Sequence, residues 1–475
     1  MGDPKGFMTV PRQLAGYRPA KERVYDYGEV EQTLNEKERK LQASRCMDCG
    51  IPFCNWGCPV GSKIPEWQDA LYRGNKEDAY LILQSTNSFP EITGRVCPAP
   101  CEKACVLEIH EEPVTIRENE CATIEQAFEA GLVVPNPPQT RTGKKVAIIG
   151  SGPAGLSAAD LLNQAGHHVT VFEKNDAIGG LLRYGIPDFK LNKRVIDRRL
   201  SIFADEGIEF KTEVAVGQDI TKDELLKEFD AVLLAVGSEQ PRNLPVEGRD
   251  LDGVHFAMDF LTHQNKINSD KKIPEKEMIS AKDKNVLVIG GGDTGSDCVG
   301  TSIRQQAKSV TQIEILPKPS EKRTDQDQWP YWPNTLRTSS SHKEGCERRW
   351  SLSTKKFIGE KGKLKQVEVV QVEWNKDENG RWAMTEVPGT VEKIDAELVL
   401  LSMGFIQPVH NGLLDALDLE YDQRGNVKVN GKKQTSADKI FAAGDAEKGA
   451  SLVVHAIEAG KVAARGIHEY LTAES

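Results

Sequence analysis

Apolar and polar positions fall into three textures along this chain. Up to about residue 130 the apolar residues recur three and four apart, as in Glu66-Trp-Gln-Asp-Ala-Leu-Tyr and Ala122-Thr-Ile-Glu-Gln-Ala-Phe, which predicts short amphipathic helices. Pro135-Asn-Pro-Pro-Gln-Thr-Arg-Thr-Gly then breaks the pattern and reads as a linker. Beyond it, short unbroken apolar runs end in glycine. Lys144-Lys-Val-Ala-Ile-Ile-Gly predicts a buried parallel strand, residues 156–165 the helix behind it, and His168-Val-Thr-Val-Phe-Glu the next strand. The cassette recurs with a strand at Asn285-Val-Leu-Val-Ile-Gly, a helix near 297–306 and a strand over 310–316. Asp438-Lys-Ile-Phe-Ala-Ala-Gly-Asp445 predicts another strand, followed by a helix over 449–466. Between Pro317 and Trp350 the chain is rich in Pro, Trp, Ser and charge, and reads as a long surface excursion.

Two copies of one strand–helix–strand cassette predict an α/β fold with two Rossmann-like dinucleotide-binding domains, preceded by an α-helical domain. At ~150 residues per domain, 475 residues suit three. We place the helical domain at 1–140, the first nucleotide domain at 141–252 and 406–475, and the second at 253–405. The net charge of -10 argues against binding nucleic-acid phosphates. Apolar runs such as Glu397-Leu-Val-Leu-Leu-Ser are far shorter than the ~18–20 residues that span a bilayer, so no membrane partner is expected. Met1-Gly-Asp-Pro-Lys-Gly lacks the apolar core of a signal peptide, and Gly6 stands where a myristoylation site wants Ser or Thr. A cytoplasmic location is expected, where ten cysteines point to metal or redox chemistry rather than disulfides.

Eight of those cysteines lie between Cys46 and Cys121. Cys46, Cys49, Cys54 and Cys58 form one set, with Pro59 after it. Cys97, Cys101 and Cys105 form a second, with Pro98 inside it and Cys121 further on. Loops with thiolates three to five residues apart can wrap a cubane whose irons each take one sulfur. The alternative is a pair of zinc sites. However, no His precedes His110, and the repeated two-residue knuckles of zinc ribbons are missing. Two [4Fe–4S] clusters is the expectation. Cys298 and Cys346 stand apart and read as structural.

In the first glycine motif, Gly150 permits the tight turn, Gly152 lets the backbone approach a pyrophosphate, and Gly155 lets helix and strand pack closely. Pro153 and Ala154 open the helix, whose free amides suit phosphate. Glu173 ends the next strand, where a carboxylate can accept from ribose hydroxyls. The second motif, Gly290-Gly-Gly-Asp-Thr-Gly, offers Gly290, Gly292, Asp293, Thr294 and Gly295 in the same arrangement. Its second strand is equivocal. Glu314 suits the 2′-hydroxyl of NADH, whereas Lys318, Lys322 and Arg323 suit the 2′-phosphate of NADPH. The basic cluster tilts the expectation to NADPH, with NADH possible. Asp445, at the end of the last strand, is a candidate for a flavin ribitol, with the following helix start near the ring.

Together these motifs resemble the small (β) subunit of glutamate synthase over nearly the whole chain. Arg45-Cys-Met-Asp-Cys-Gly, Gly94-Arg-Val-Cys-Pro-Ala-Pro-Cys101 and Gly179-Gly-Leu-Leu-Arg-Tyr-Gly-Ile-Pro187, which contains Gly180, are the most specific. The same module is similar to the N-terminal half of dihydropyrimidine dehydrogenase and to ferredoxin–NADP oxidoreductase-type flavoproteins. The resemblance implies FAD at the first glycine motif and a nicotinamide dinucleotide at the second. It also implies crossed ligation, with Cys46, Cys49, Cys54 and Cys105 on one cluster and Cys58, Cys97, Cys101 and Cys121 on the other. The implied activity is oxidation of NAD(P)H through FAD, with electrons leaving by the clusters and no side chain acting as acid or base. Residue 2 is Gly2 rather than a cysteine nucleophile, so glutamine hydrolysis is expected on a large (α) subunit. The rival readings are a stand-alone ferredoxin or sulfide oxidoreductase of the same module, and a non-catalytic assembly subunit.

Overall fold

A computed structural model of the chain describes residues 2–473. The N-terminal region is helical. Asn35 caps the helix Glu36–Ser44 through a reciprocal bond with Glu38. Gly74, at φ +83°, ends the helix Ile64–Arg73, and a longer helix follows at Ile116–Glu129. These helices close over a core of Ile64, Trp67, Leu83, Val114 and Ile116 that also takes in Cys46, Cys101 and Cys105.

Each nucleotide cassette builds a five-stranded parallel sheet. In the first, β1 (Lys145–Ile149), β2 (His168–Phe172), β3 (Glu209–Lys211), β4 (Ala231–Leu234) and β14 (Ile440–Ala442) lie in the order β14-β4-β1-β2-β3. The run Val146–Ile149 is buried throughout, as a strand covered on both faces must be. The chain leaves this domain after β4 and returns for β14 and the helix Val453–Ala473. That helix meets the helix Pro153–Gln164 so closely that a Cβ on Gly460 would sit 2.2 Å from the Ala154 carbonyl oxygen. The final helix starts four residues later than the apolar pattern suggested. Asp445–Lys448 forms its own turn, and Gly449, at φ +79°, separates the two.

In the second sheet, β5 (Val254–Phe256), β6 (Asn285–Ile289), β7 (Ser309–Glu314), β8 (Glu347–Trp350) and β13 (Leu398–Leu401) take the order β5-β13-β6-β7-β8. Strand β7 ends at Glu314 and leaves Leu316 exposed, while the helix behind β6 begins at Asp293. Between β8 and β13 lies an antiparallel sheet that the sequence reading did not foresee, made of β9 (Leu352–Glu360), β10 (Lys363–Lys376), β11 (Trp382–Glu386) and β12 (Glu392–Asp395). The Pro317–Trp350 excursion is not confined to the surface. Ser340 and Ser341 are buried, and the Glu344 side chain is wholly enclosed between Arg23 and Arg304.

Candidate functional site

The first glycine loop has the three constraints its motif implies. Gly150 sits at φ +102°, and a Cβ there would lie 2.4 Å from the Ala235 carbonyl oxygen. A Cβ on Gly155 would lie 2.1 Å from the Gly150 oxygen. Gly152 is different, because a Cβ there meets nothing within 4 Å. Its bare backbone faces a cavity of about 430 Å³, lined also by Pro153, Ala154, Glu173, Gly180, Tyr184, Phe405, Asp445 and Val453. Glu173, 5% exposed, accepts from Ser151 N at 3.3 Å, Ser151 Oγ at 2.5 Å and Asn175 N at 2.9 Å. Gly180, at φ +52°, approaches Gly152 so closely that a Cβ would sit 3.0 Å from its Cα. Asp445 accepts from Ser451 N and Oγ at 3.1 and 2.7 Å, and burial holds its carboxyl above the ordinary value. A second cavity of about 230 Å³ shares Gly150, Glu173 and Val236, so the site runs on along the sheet edge. The two cavities form one elongated cleft that passes the bare backbone of Gly152, a shape and a helix N-terminus that suit a dinucleotide.

The second loop repeats the design. Cβ atoms on Gly290 and Gly295 would lie 2.3 Å from Ser402 O and 2.4 Å from Gly290 O, whereas Gly292 is bare. Asp293 and Thr294 form the first turn of the helix Asp293–Arg304, and Asp293 faces the cavity beside it. The Glu314 carboxylate accepts from Gly291 N at 2.5 Å, Ile315 N at 3.0 Å and Leu316 N at 3.3 Å, and it lines that cavity of about 260 Å³.

The basic cluster expected to read a 2′-phosphate does not assemble there. Arg323 donates to the carbonyls of Asp327, Tyr331 and Lys103, and Lys318 lies over the Trp350 ring at 5.5 Å. Neither lines the cavity; Arg337, Arg348 and Trp350 do. Those three were missed. Arg337 stacks on Trp332 at 3.9 Å, a contact across five residues of irregular chain with no periodic signal.

A cavity of about 550 Å³ joins the domains. Cys97 and Pro98 contribute from the helical domain, Ile186, Lys190 and Val453 from the first nucleotide domain, and Asp293, Asp297 and Arg337 from the second. Lys190 pairs with Asp297 across it. Burial opposes the ammonium charge, but Asp297 outweighs it and holds the Lys190 pKa above the ordinary value.

Cys46, Cys49, Cys54 and Cys105 line one enclosed cavity with Phe53, Ile64 and Ile116. Among the described residues, no three His, Cys, Asp or Glu side chains converge as ligands of a single ion. Cys97 and Cys101 each lie near enough to Cys58 for ionisation of one thiol to oppose that of the other, and Cys121 packs against Gly94, where a Cβ would lie 2.6 Å from the Cys121 Cα. Burial pushes the thiols of Cys46, Cys97 and Cys121 up to about 12, and Cys58 to about 11. Thiols this costly to ionise stay neutral unless strong positive charge stands beside them. Cys298 is fully buried in the core of the second nucleotide domain, and the Cys346 thiol rests 3.2 Å from the Glu347 carbonyl oxygen.

Residues 144–460 match the family described as pyridine nucleotide-disulphide oxidoreductase, and residues 23–132 match dihydropyrimidine dehydrogenase domain II, 4Fe-4S cluster. A glutamate synthase [NADPH] small chain from Mycobacterium tuberculosis is 46% identical, covering 100% of this chain and 97% of that one. A glutamate synthase [NADH] from Schizosaccharomyces pombe is 47% identical over 98% of this chain, but the match spans 22% of that longer protein. The solved structure of Mycobacterium tuberculosis FprA in complex with NADPH shares the fold, with TM-score 0.55 at 20% identity over 70% of this chain and 86% of that one.

Proposed function

This chain belongs to the glutamate synthase small-chain family, and from that premise we propose that it is the electron-input subunit of a glutamate synthase. The observation that carries this reading is the cavity where three domains meet. Cys97 of the thiol domain, Val453 of the flavin-type domain and Asp293 of the second glycine loop share its wall. Such a cavity would give a hydride carrier, a flavin and a cluster ligand one meeting place.

FAD, which accepts a hydride and releases electrons singly, supplies the link between a two-electron nicotinamide and one-electron iron–sulfur clusters. Gly150, Gly152 and Gly155 would hold its pyrophosphate, Glu173 a ribose and Asp445 the ribitol. Gly290, Gly292 and Gly295 would hold the nicotinamide dinucleotide. Cys46, Cys49, Cys54 and Cys105 would bind one [4Fe–4S] cluster, and Cys58, Cys97, Cys101 and Cys121 a second. The protein's own work is to hold these groups in order, keep water out and fix charges near them.

The nicotinamide preference turns on Glu314. Its carboxylate is anchored by three backbone amides beside Gly291, a position suited to a ribose 2′-hydroxyl and hostile to a 2′-phosphate. With Arg323 engaged elsewhere, NADH is the proposed donor, and Arg337 and Arg348, which line the same cavity, are the cations a 2′-phosphate would need instead. The small-chain relatives from Mycobacterium tuberculosis and Bacillus subtilis are named for NADPH, and the longer Schizosaccharomyces pombe relative for NADH. Arg337 lines both the Glu314 cavity and the junction cavity, which suits it to a pyrophosphate passing between them.

The acceptor is a glutamate synthase large subunit, which would make glutamate from glutamine and 2-oxoglutarate. The Schizosaccharomyces pombe relative carries the region matching this chain within a much longer protein. Among the described residues no helix is long and apolar enough to cross a membrane. A cytoplasmic setting suits eight cysteines between Cys46 and Cys121 that form no disulfide. Anaerobic purification tests the cofactor set. About eight iron and eight acid-labile sulfide per chain, with one FAD, are expected. Zinc without labile sulfide would end this reading.

A further inference from the structure

The Pro317–Trp350 segment connects β7 to β8, yet its middle lies on the cysteine domain. The Trp329 ring packs on Phe53 with centroids 4.6 Å apart, and its indole N–H donates to the Cys105 carbonyl at 3.3 Å. Tyr331 meets Trp56 edge-on at 5.5 Å. Arg323 donates to the Lys103 carbonyl at 3.3 Å and fastens the segment's own turn through the Asp327 and Tyr331 carbonyls. Phe53 is itself a wall of the cavity lined by Cys46, Cys49, Cys54 and Cys105. Trp329 is therefore a second layer of that wall, supplied by the nicotinamide domain rather than by the domain that carries the thiols.

We propose that Trp329 is a positioning residue that keeps water from the cluster at Cys46, Cys49, Cys54 and Cys105 and so holds its reduction potential down. This rests on the reading of those four thiols as cluster ligands. Taking up an electron makes the cluster and its thiolates more negative, and water stabilises the more negative form best. An aromatic wall that limits water disfavours that form, and opening it favours it. The hydrogen bond to the Cys105 carbonyl fixes the backbone of one ligand at the same place. Sequence alone assigned Trp329 no role because Phe53 and Trp329 lie 276 residues apart.

The test is redox titration followed by electron paramagnetic resonance on full-length, anaerobically purified protein. Trp329→Ala is expected to raise the potential of one cluster, leaving the other cluster, the FAD potential and the FAD content unchanged. The same cluster should bleach several-fold faster in air. Trp329→Phe, which keeps a ring on Phe53 but loses the N–H, should stay near the wild-type potential. If Trp329→Ala loses the cluster during purification, Trp329→Leu carries the test and should show a smaller rise. No shift in whichever of Trp329→Ala and Trp329→Leu retains the cluster overturns the role of Trp329. The underlying ligand reading fails separately, if wild-type protein lacks iron and sulfide or Cys49→Ser leaves their content unchanged.

Discussion

Changing Glu314 to glutamine separates the two nicotinamides in one substitution. The side chain lies at the end of β7 and accepts from the amides of Gly291, Ile315 and Leu316. Glutamine keeps one carbonyl oxygen for the Gly291 amide but gives up the bonds from the Ile315 and Leu316 amides, because its NH2 cannot accept, and the negative charge goes. A hydrogen bond from a ribose hydroxyl to a carboxylate contributes about 1.5–3 kcal/mol. Part of that survives with a neutral acceptor, so a loss of about 1–2 kcal/mol is expected, or roughly 5–30-fold in the KM for NADH. NADPH should gain, because the charge facing its 2′-phosphate has gone. Steady-state reduction of an artificial dye with each donor gives both constants, and kcat should change little. An unchanged ratio of NADH to NADPH specificity in Glu314→Gln would refute the assignment and make Glu314 a strand-end anchor only.

Three further outcomes are expected. Gly152→Ala should fold normally, since its Cβ meets nothing within 4 Å, yet purify with much less FAD; unchanged flavin absorbance per chain would show that nothing lies over that backbone. Glu344→Gln should lower thermal stability markedly, because Arg23 and Arg304 have side chains only 3% and 0% exposed and would lose their shared carboxylate. Removing one partner from a buried ion pair typically costs about 3–5 kcal/mol, so a melting temperature within about a degree of wild type would contradict the arrangement. Burial lowers His167 and His342 to about 4, helped at His167 by His468 and at His342 by Arg348. The unfolded chain then binds more protons than the folded one between about pH 6.5 and 4, so stability is full above that window and falls as the pH drops through it. His342→Gln should flatten the fall, and an identical pH profile would show that His342 is not a source.

The two nucleotide domains were legible because each compresses its logic into a local run. An apolar strand, a glycine turn and a helix lie within twenty residues, and the close approaches at Gly155 and Gly295 follow from that spacing alone. The cysteine domain was legible for a similar reason, its ligand types being dense and otherwise inexplicable. The grouping of Cys105 with Cys46, Cys49 and Cys54 around one cavity depends on how helices fold back, and spacing does not reveal it.

What stayed hidden is nonlocal. Glu344 reads in sequence as one more charge in a polar stretch, and only the fold brings Arg23 to it across 321 residues. Arg323 looks like a phosphate ligand by position after β7, but a turn ending at Tyr331 aims it at the cysteine domain. The β9–β12 sheet was missed even though β10 buries apolar positions such as Leu364, Val367 and Val369 between exposed ones. Its register slips twice, and the slips break the two-residue period that would have announced it.

The electron route proposed for this chain enters from a nicotinamide at one end and leaves through thiol-bound clusters to a partner that makes glutamate. It is tested most directly by measuring glutamine-dependent glutamate formation from NADH and 2-oxoglutarate, for wild-type and Cys49→Ser protein, with and without a glutamate synthase large subunit. Wild-type chain alone should reduce dyes and form no glutamate, and adding the large subunit should yield two glutamates per NADH. Cys49→Ser should still reduce dyes yet lose the coupled reaction. Glutamate made by the isolated chain, or full coupled activity from the Cys49→Ser protein, would contradict the account.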